Sequence, residues 1–147
     1  MASPRSFSLQ ELPRPLAEGA AFEVGEDITR HLQVLRLDPA EQIVLFDGMG
    51  GEFRAEIVEL AKRQTSLRLL HFDAVERESP LAITLVQALA TSDKMDLIVQ
   101  KAVELGVAMV QPVASERATL KLSADRAEKR AAHWQAIARA ACEQCGR

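Results

Sequence analysis

The 147-residue chain has no tyrosine, one tryptophan, only 4% aromatic residues, two cysteines, three histidines and a formal net charge of just −3. So weak a net charge excludes the global basic field that announces a nucleic-acid partner. No run approaches the ~18 apolar residues of a membrane span, and the N-terminus carries no apolar signal core. The expectation is a cytoplasmic protein with no membrane partner. A four-ligand zinc site would need two more Cys or His at suitable spacing from Cys142 and Cys145. His31, His71 and His133 are scattered, so no metal is expected.

What is present is ordinary for a globular chain, 48% hydrophobic and 27% charged. The charge is unevenly spread. Residues 1–80 hold 9 Lys and Arg against 14 Asp and Glu, whereas residues 81–147 hold 9 against 7.

The first part of the chain reads as β. In "EQIVLFDGMGGEFRAEIVEL" two strand-like runs, Ile43 to Phe46 and Phe53 to Leu60, flank a glycine-rich turn. Asp47-Gly48 and Gly50-Gly51 offer the positive φ angles a hairpin loop needs. A phosphate-binding loop would lead into a helix, and this one leads into a strand. "TSLRLLHF" is a further strand. "EDITRHLQVLRL" places Ile28, Leu32 and Leu35 at helical spacing, opened by Glu26 or Asp27 and closed by Asp38-Pro39. Several short strands with one short helix predict a small β-barrel over residues 1–75.

Glu78-Ser79-Pro80 reads as a linker. Beyond it, Leu81 to Ala88 is an almost continuous apolar run, the pattern of a strand covered on both faces. Ser92 or Asp93 can cap a helix whose buried face is Met95, Ile98, Val99, Ala102 and Val103, and Gly106 ends it. Ala108 to Ala114 returns as a strand. A last helix, Glu128 to Cys145, has Ala127, Ala131, Trp134, Ala138, Ala141 and Cys145 at three- and four-residue steps, with Gly146 as its stop. Residues 76–147 therefore read as βαβα, the start of an α/β layer on a parallel sheet. Such sheets hold ligands outside the carboxyl ends of their strands. Ala90-Thr91-Ser92 and Ser115-Glu116-Arg117 lie at two such ends.

The C-x-x-C pair falls at the end of a helical pattern, where a redox pair would sit at a helix N-terminus. Cys142 and Cys145 read as small, reduced packing residues, with a redox role as the alternative. Asp96, Gln100 and Glu104 form a polar stripe, read as a solvated face, with a subunit interface or cleft as the alternative. Arg30, His31 and Arg36 lie on one short helix, preceded by Arg5 and Arg14; in so acidic a segment they read as ordinary surface, with phosphate bonding as the alternative. From the residues alone, the chain is a two-module β plus α/β protein and a candidate RNA or nucleotide binder.

"HLQVLRL", "LFDG", "ESPLAITLVQAL", "KMDLIVQKAVELGV", "PVASERA" and "HWQAIARAACEQCGR", in this order, resemble the RsmE family of bacterial ribosomal RNA methyltransferases. The resemblance runs from Arg5 to Arg147. It implies a PUA-like β-barrel that helps hold RNA, then a SPOUT-type α/β domain whose later part is knotted. It implies methyl transfer from S-adenosylmethionine to N3 of a uridine in 16S ribosomal RNA, by a homodimer acting on the small ribosomal subunit. In that family the E-Q-x-x-R block stands in mid-domain, and the segments that follow bind the cofactor. The chain is therefore expected to correspond to the barrel and the first half of the catalytic domain, with no cofactor-binding residue of its own. A fragment of that kind would be inactive alone, and a non-catalytic RNA-binding or dimerisation module is the alternative. The resemblance also implies the roles. Arg147 would stabilise the developing charge or hold the target phosphate, oriented by Glu143 and Gln144. Glu116 and Arg117 would line the same cleft, and Arg5, His31 and Arg36 would contact RNA.

Overall fold

The computed structural model describes residues 4–7, 12, 19–116 and 123–147. They form two compact units, residues 1–77 and Glu78–Arg147.

The first unit contains β1 (Arg5–Phe7), β2 (Ala21–Val24), α1 (Glu26–Val34), β3 (Gln42–Phe46), β4 (Glu52–Leu60) and β5 (Thr65–Asp73). Its strands make one five-stranded sheet in the order β1-β3-β4-β5-β2. β1 runs parallel to β3, and the other pairs are antiparallel. Among the described residues this is a mixed sheet with β1 and β2 at its ends. Alternation works as expected on β4, where Phe53, Ala55 and Ile57 all point into the core. Their partners on β5 are Phe72, Leu69 and Leu67, so the register skips a residue between Leu69 and His71. That irregularity lets Leu69 and Phe72, three apart, both face the core, and the Phe53 and Phe72 rings pack at 4.8 Å. Ile28 and Leu32 of α1 join the same cluster. The Thr29 and Thr65 hydroxyls satisfy each other inside it at 2.9 Å.

The glycine-rich stretch is a hairpin turn. Gly51 has φ +71°, and a Cβ there would fall 2.3 Å from Cζ of Phe72. Asp47 stabilises the turn by accepting the Met49 N–H at 3.0 Å. One expectation fails on α1: the helix stops at Val34, Leu35 is 43% exposed, and Leu37 packs on the core in its place.

The second unit runs β6 (Thr84–Ala88), α2 (Ser92–Glu104), β7 (Met109–Val113), α3 (Ala124–Cys145), with β6 and β7 parallel and in register from Thr84↔Met109 to Ala88↔Val113. Met95, Val99 and Trp134 form its core, joined by Leu89, Ile98, Val110, Ile137 and Ala138. Two corrections follow. The run Leu81 to Ala88 is not covered on both faces. Val86 is 63% exposed and Met109 56%, because α2 and α3 pack against one another and no layer covers the opposite face among the described residues. The buried stripe of α3 is narrower than its periodicity implies: Trp134 and Ala141 are buried, while Ala127, Ala131 and Cys145 are exposed. A 22-residue helix spans roughly 33 Å at 1.5 Å per residue. A five-residue strand spans roughly 17 Å. Among the described residues no strand continues beneath the first turns of α3, where Ala127 and Ala131 are exposed.

Candidate functional site

The carboxyl ends of β6 and β7 share one edge because the strands are parallel. α2 begins there, with Thr91 at its N-cap and Gly106 closing it at φ +85°. α3 starts after this edge and runs back, so its first half lies beside the first half of α2. Arg130 donates from Nη2 to the Ser92 hydroxyl at 2.5 Å. Asp96 accepts from the Trp134 indole N–H at 3.2 Å and lies 2.9 Å from His133 Nε2. Asp96 is thus a joint between two helices, where the sequence read a solvated stripe. Arg130, His133 and Trp134 fall at three- and four-residue spacing on α3, and that spacing was the legible signal. Glu104 pairs with Lys101 at 2.7 Å, and Gln100 is exposed.

Ser92 and Glu116 of the sequence-nominated residues lie at this edge, Glu116 exposed in the turn after β7; Arg117 lies outside the described residues. Arg147 is at the opposite edge. Its Nη1 donates to the carbonyls of Val103 at 2.7 Å and Val107 at 3.2 Å, and its Nε donates to Glu78 at 2.8 Å. Nη2 also pairs with Glu78. These partners are the C-terminal end of α2 and the segments leading into β7 and β6. Val107 precedes β7 and Glu116 follows it, so a full strand, roughly 17 Å, separates the two sites. The structure does not bring Arg147 and Glu116 into one cleft. Glu143 is half-buried and Gln144 exposed on the last turn of α3, beside Arg147 in sequence. The Glu78 hydrogen bond raises the Arg147 pKa, against an opposing effect of burial.

Cys142 is half-buried and Cys145 exposed, and both are free thiols. They sit at the helix C-terminus, where the dipole disfavours a thiolate. Burial pushes the Cys142 thiol up, and the neighbouring Cys145 adds to it. Among the described residues no group of three His, Cys, Asp or Glu is placed to hold a metal ion. No helix among them is long and apolar enough to cross a membrane. A groove of about 380 Å³ runs along Val99, Val103, Met109, Val110, Trp134 and Ala138.

In the first unit, Arg5 is drawn inward. It pairs with Glu52 at 2.7 Å, stacks 5.0 Å from the centroid of Phe46, and its side chain is only 17% exposed. Arg77 completes a bidentate pair with the same carboxylate at 3.1 and 3.2 Å. Burial alone would raise the Glu52 pKa, but the hydrogen bonds from Arg77 and Arg5 outweigh it and hold the carboxyl low. The arginine expected to reach RNA is committed to an internal ion pair instead. His31 is half-buried on the last turn of α1, and Arg36 is exposed just past that helix.

Two family models match the chain in order: an RNA methyltransferase PUA domain over residues 24–70 and an RNA methyltransferase domain over residues 77–147. The chain is 29% identical over 139 residues to ribosomal RNA small subunit methyltransferase E of Bacillus subtilis, covering 94% of this chain and 54% of that protein. It is similar in structure to ribosomal RNA small subunit methyltransferase E from Neisseria gonorrhoeae, a structure described as bound to S-adenosyl methionine. The TM-score is 0.89 with 45% identity, covering 99% of this chain and 59% of the other. A protein from Legionella pneumophila, described in complex with the same cofactor, superposes with TM-score 0.91 at 35% identity, over 100% of this chain and 60% of that one. The chain spans about half the length of the curated relatives it matches.

Proposed function

The chain belongs to the RNA methyltransferase family that these two models describe, and on that premise we propose that it provides the RNA-holding module and the first half of the transfer domain of a 16S ribosomal RNA methyltransferase of the RsmE type. The observation that carries this reading is the order of the two matches along one chain, 24–70 and then 77–147. The activity proposed for the full-length protein is methylation of N3 of a uridine in 16S ribosomal RNA, in the cytoplasm, by a homodimer with a knotted SPOUT-type domain. S-adenosylmethionine is the proposed donor, as in the Neisseria relative's description.

The described residues do not by themselves fit that cofactor. A charged sulfonium with an amino-acid tail needs an enclosed cleft with several convergent polar groups. The groove along Val99, Met109 and Trp134 is predominantly apolar, and the carboxyl edge of the sheet is two strands wide. No transfer step is therefore assigned to these residues. We assign Arg147 a structural role, because its donors are already used by Glu78, Val103 and Val107. Glu143 and Gln144 go with it. Glu116, at the carboxyl edge, is the residue of the original set best placed to line a ligand cleft.

Poor fit to the cofactor favours a second reading for these 147 residues alone, a non-catalytic RNA-binding module. Calorimetric titration with S-adenosylmethionine separates the two. The 147-residue chain should give no binding heat, and a chain extended to the relatives' length should bind and transfer labelled methyl groups to 16S ribosomal RNA. Methyl transfer by the 147 residues alone would overturn this division of labour. Failure of the extended chain to methylate would overturn the family activity for this protein.

A further inference from the structure

Arg36 holds a backbone conformation that arginine adopts only at a cost. Helix α1 ends in a Schellman turn: the Leu37 N–H reaches the Leu32 carbonyl at 3.2 Å and the Arg36 N–H reaches that of Gln33 at 3.0 Å. This geometry puts the residue between them in the left-handed region, and Arg36 has φ +57°. The other two helices among the described residues solve the same problem with glycine, Gly106 at +85° and Gly146 at +84°. Glycine adopts this conformation freely, and a residue with a Cβ does not. The Arg36 side chain is exposed and makes no ion pair or hydrogen bond among the described residues that would offset the strain.

Its surroundings give the side chain a use. Gln33 Nε2 donates to the carbonyls of Ala61 at 3.0 Å and Lys62 at 3.4 Å, docking the turn between β4 and β5 onto the last turn of α1. Lys62 and Arg63 on that turn are exposed and, like Arg36, have no ion-pair partner among the described residues. Val34 is 75% exposed and Leu35 43% on the same helix end. Three cations without an ion-pair partner among the described residues and two exposed aliphatic side chains thus lie on two segments that the Gln33 bonds join, in a unit whose overall charge is acidic. Forked and point-charge donors suit phosphate oxygens, and aliphatic surface suits the faces of unstacked bases.

We propose that the C-terminal end of α1 and the β4–β5 turn form one phosphate-contacting surface for single-stranded RNA, and that Arg36 occupies its strained position for its guanidinium. The proposal rests on the RNA reading above and adds Lys62, Arg63 and the location.

The test is fluorescence anisotropy of a labelled single-stranded uridine-rich RNA across a salt series, with thermal melting of each variant. Arg36→Gly should raise Tm by about 2–4 °C while lowering the slope of log K against log salt by about 0.7. Lys62→Gln and Arg63→Gln should lower the slope similarly at unchanged Tm. Ala40→Gly relieves the other non-glycine left-handed residue among those described, at φ +73°, and should raise Tm with binding intact. Wild-type binding that none of the three charge substitutions changes would place the RNA elsewhere and overturn this surface alone. A fall in both Tm and binding for Arg36→Gly, or weakened binding for Ala40→Gly, would make the loop's shape the cause and overturn the role of the guanidinium. No binding by the wild type would overturn the RNA reading as well.

Discussion

Replacing Arg147 by alanine removes one planar side chain that ties three segments of the second unit together. Two of its hydrogen bonds go to carbonyls of Val103 and Val107, and the rest go to Glu78. The guanidinium is only 14% exposed, whereas Glu78 is 53% exposed. The Glu78 pair is therefore largely screened, at most about 1 kcal/mol. The two carbonyl bonds matter more, at about 1 kcal/mol each: truncation removes the donor of the Val107 carbonyl, while the Val103 carbonyl keeps the Gly106 N–H at 3.0 Å. The expected loss is about 2–3 kcal/mol, which for a unit of this size lowers its Tm by roughly 8–20 °C. Arg147→Lys keeps the charge but not the fork, so it should recover only part of the loss. Glu78→Gln should cost less than about 1 kcal/mol. Urea or thermal denaturation followed by circular dichroism reads all three. An Arg147→Ala variant that melts like the wild type, yet abolishes methyl transfer in a chain extended to the relatives' length, would refute the structural assignment and restore a catalytic one.

Glu52 should make the first unit acid-labile. Its folded pKa is depressed by Arg77 and Arg5, so its stabilisation is present above the unfolded carboxylate pKa and is lost as pH falls through the folded value. Glu52→Gln should lower stability at pH 7 and flatten its pH dependence below about pH 4.5; an unchanged acid limb would refute the ion-pair assignment. Cys142 should resist alkylation near neutral pH because burial disfavours its thiolate, and Cys145, exposed, should react first. Equal rates, or Cys142 reacting first, would contradict that order.

Much of the secondary structure was local chemistry and therefore legible. Alternation at Phe53, Ala55 and Ile57, glycines able to take positive φ, and the Met95–Val99–Ala102–Val103 stripe are each set by residues within a few positions of one another. Among the described residues, the sequence by itself determined the hairpin, three helices and the βαβα order, and, through its motif blocks, the family. Partnerships between distant residues were not local. Glu52 gathers Arg5 and Arg77 from the two ends of the first unit, and no periodicity marks that a charged strand residue will be buried. Asp96 joins His133 and Trp134 from 37 and 38 residues away. The sequence pattern of an amphipathic helix also does not say how wide a sheet lies beneath it, which is why the α3 stripe was overestimated. Arg147 was placed in a cleft because its motif suggested chemistry. Only the tertiary structure decided that α3 runs antiparallel to β7, and that direction carries its last residue to the edge opposite Glu116.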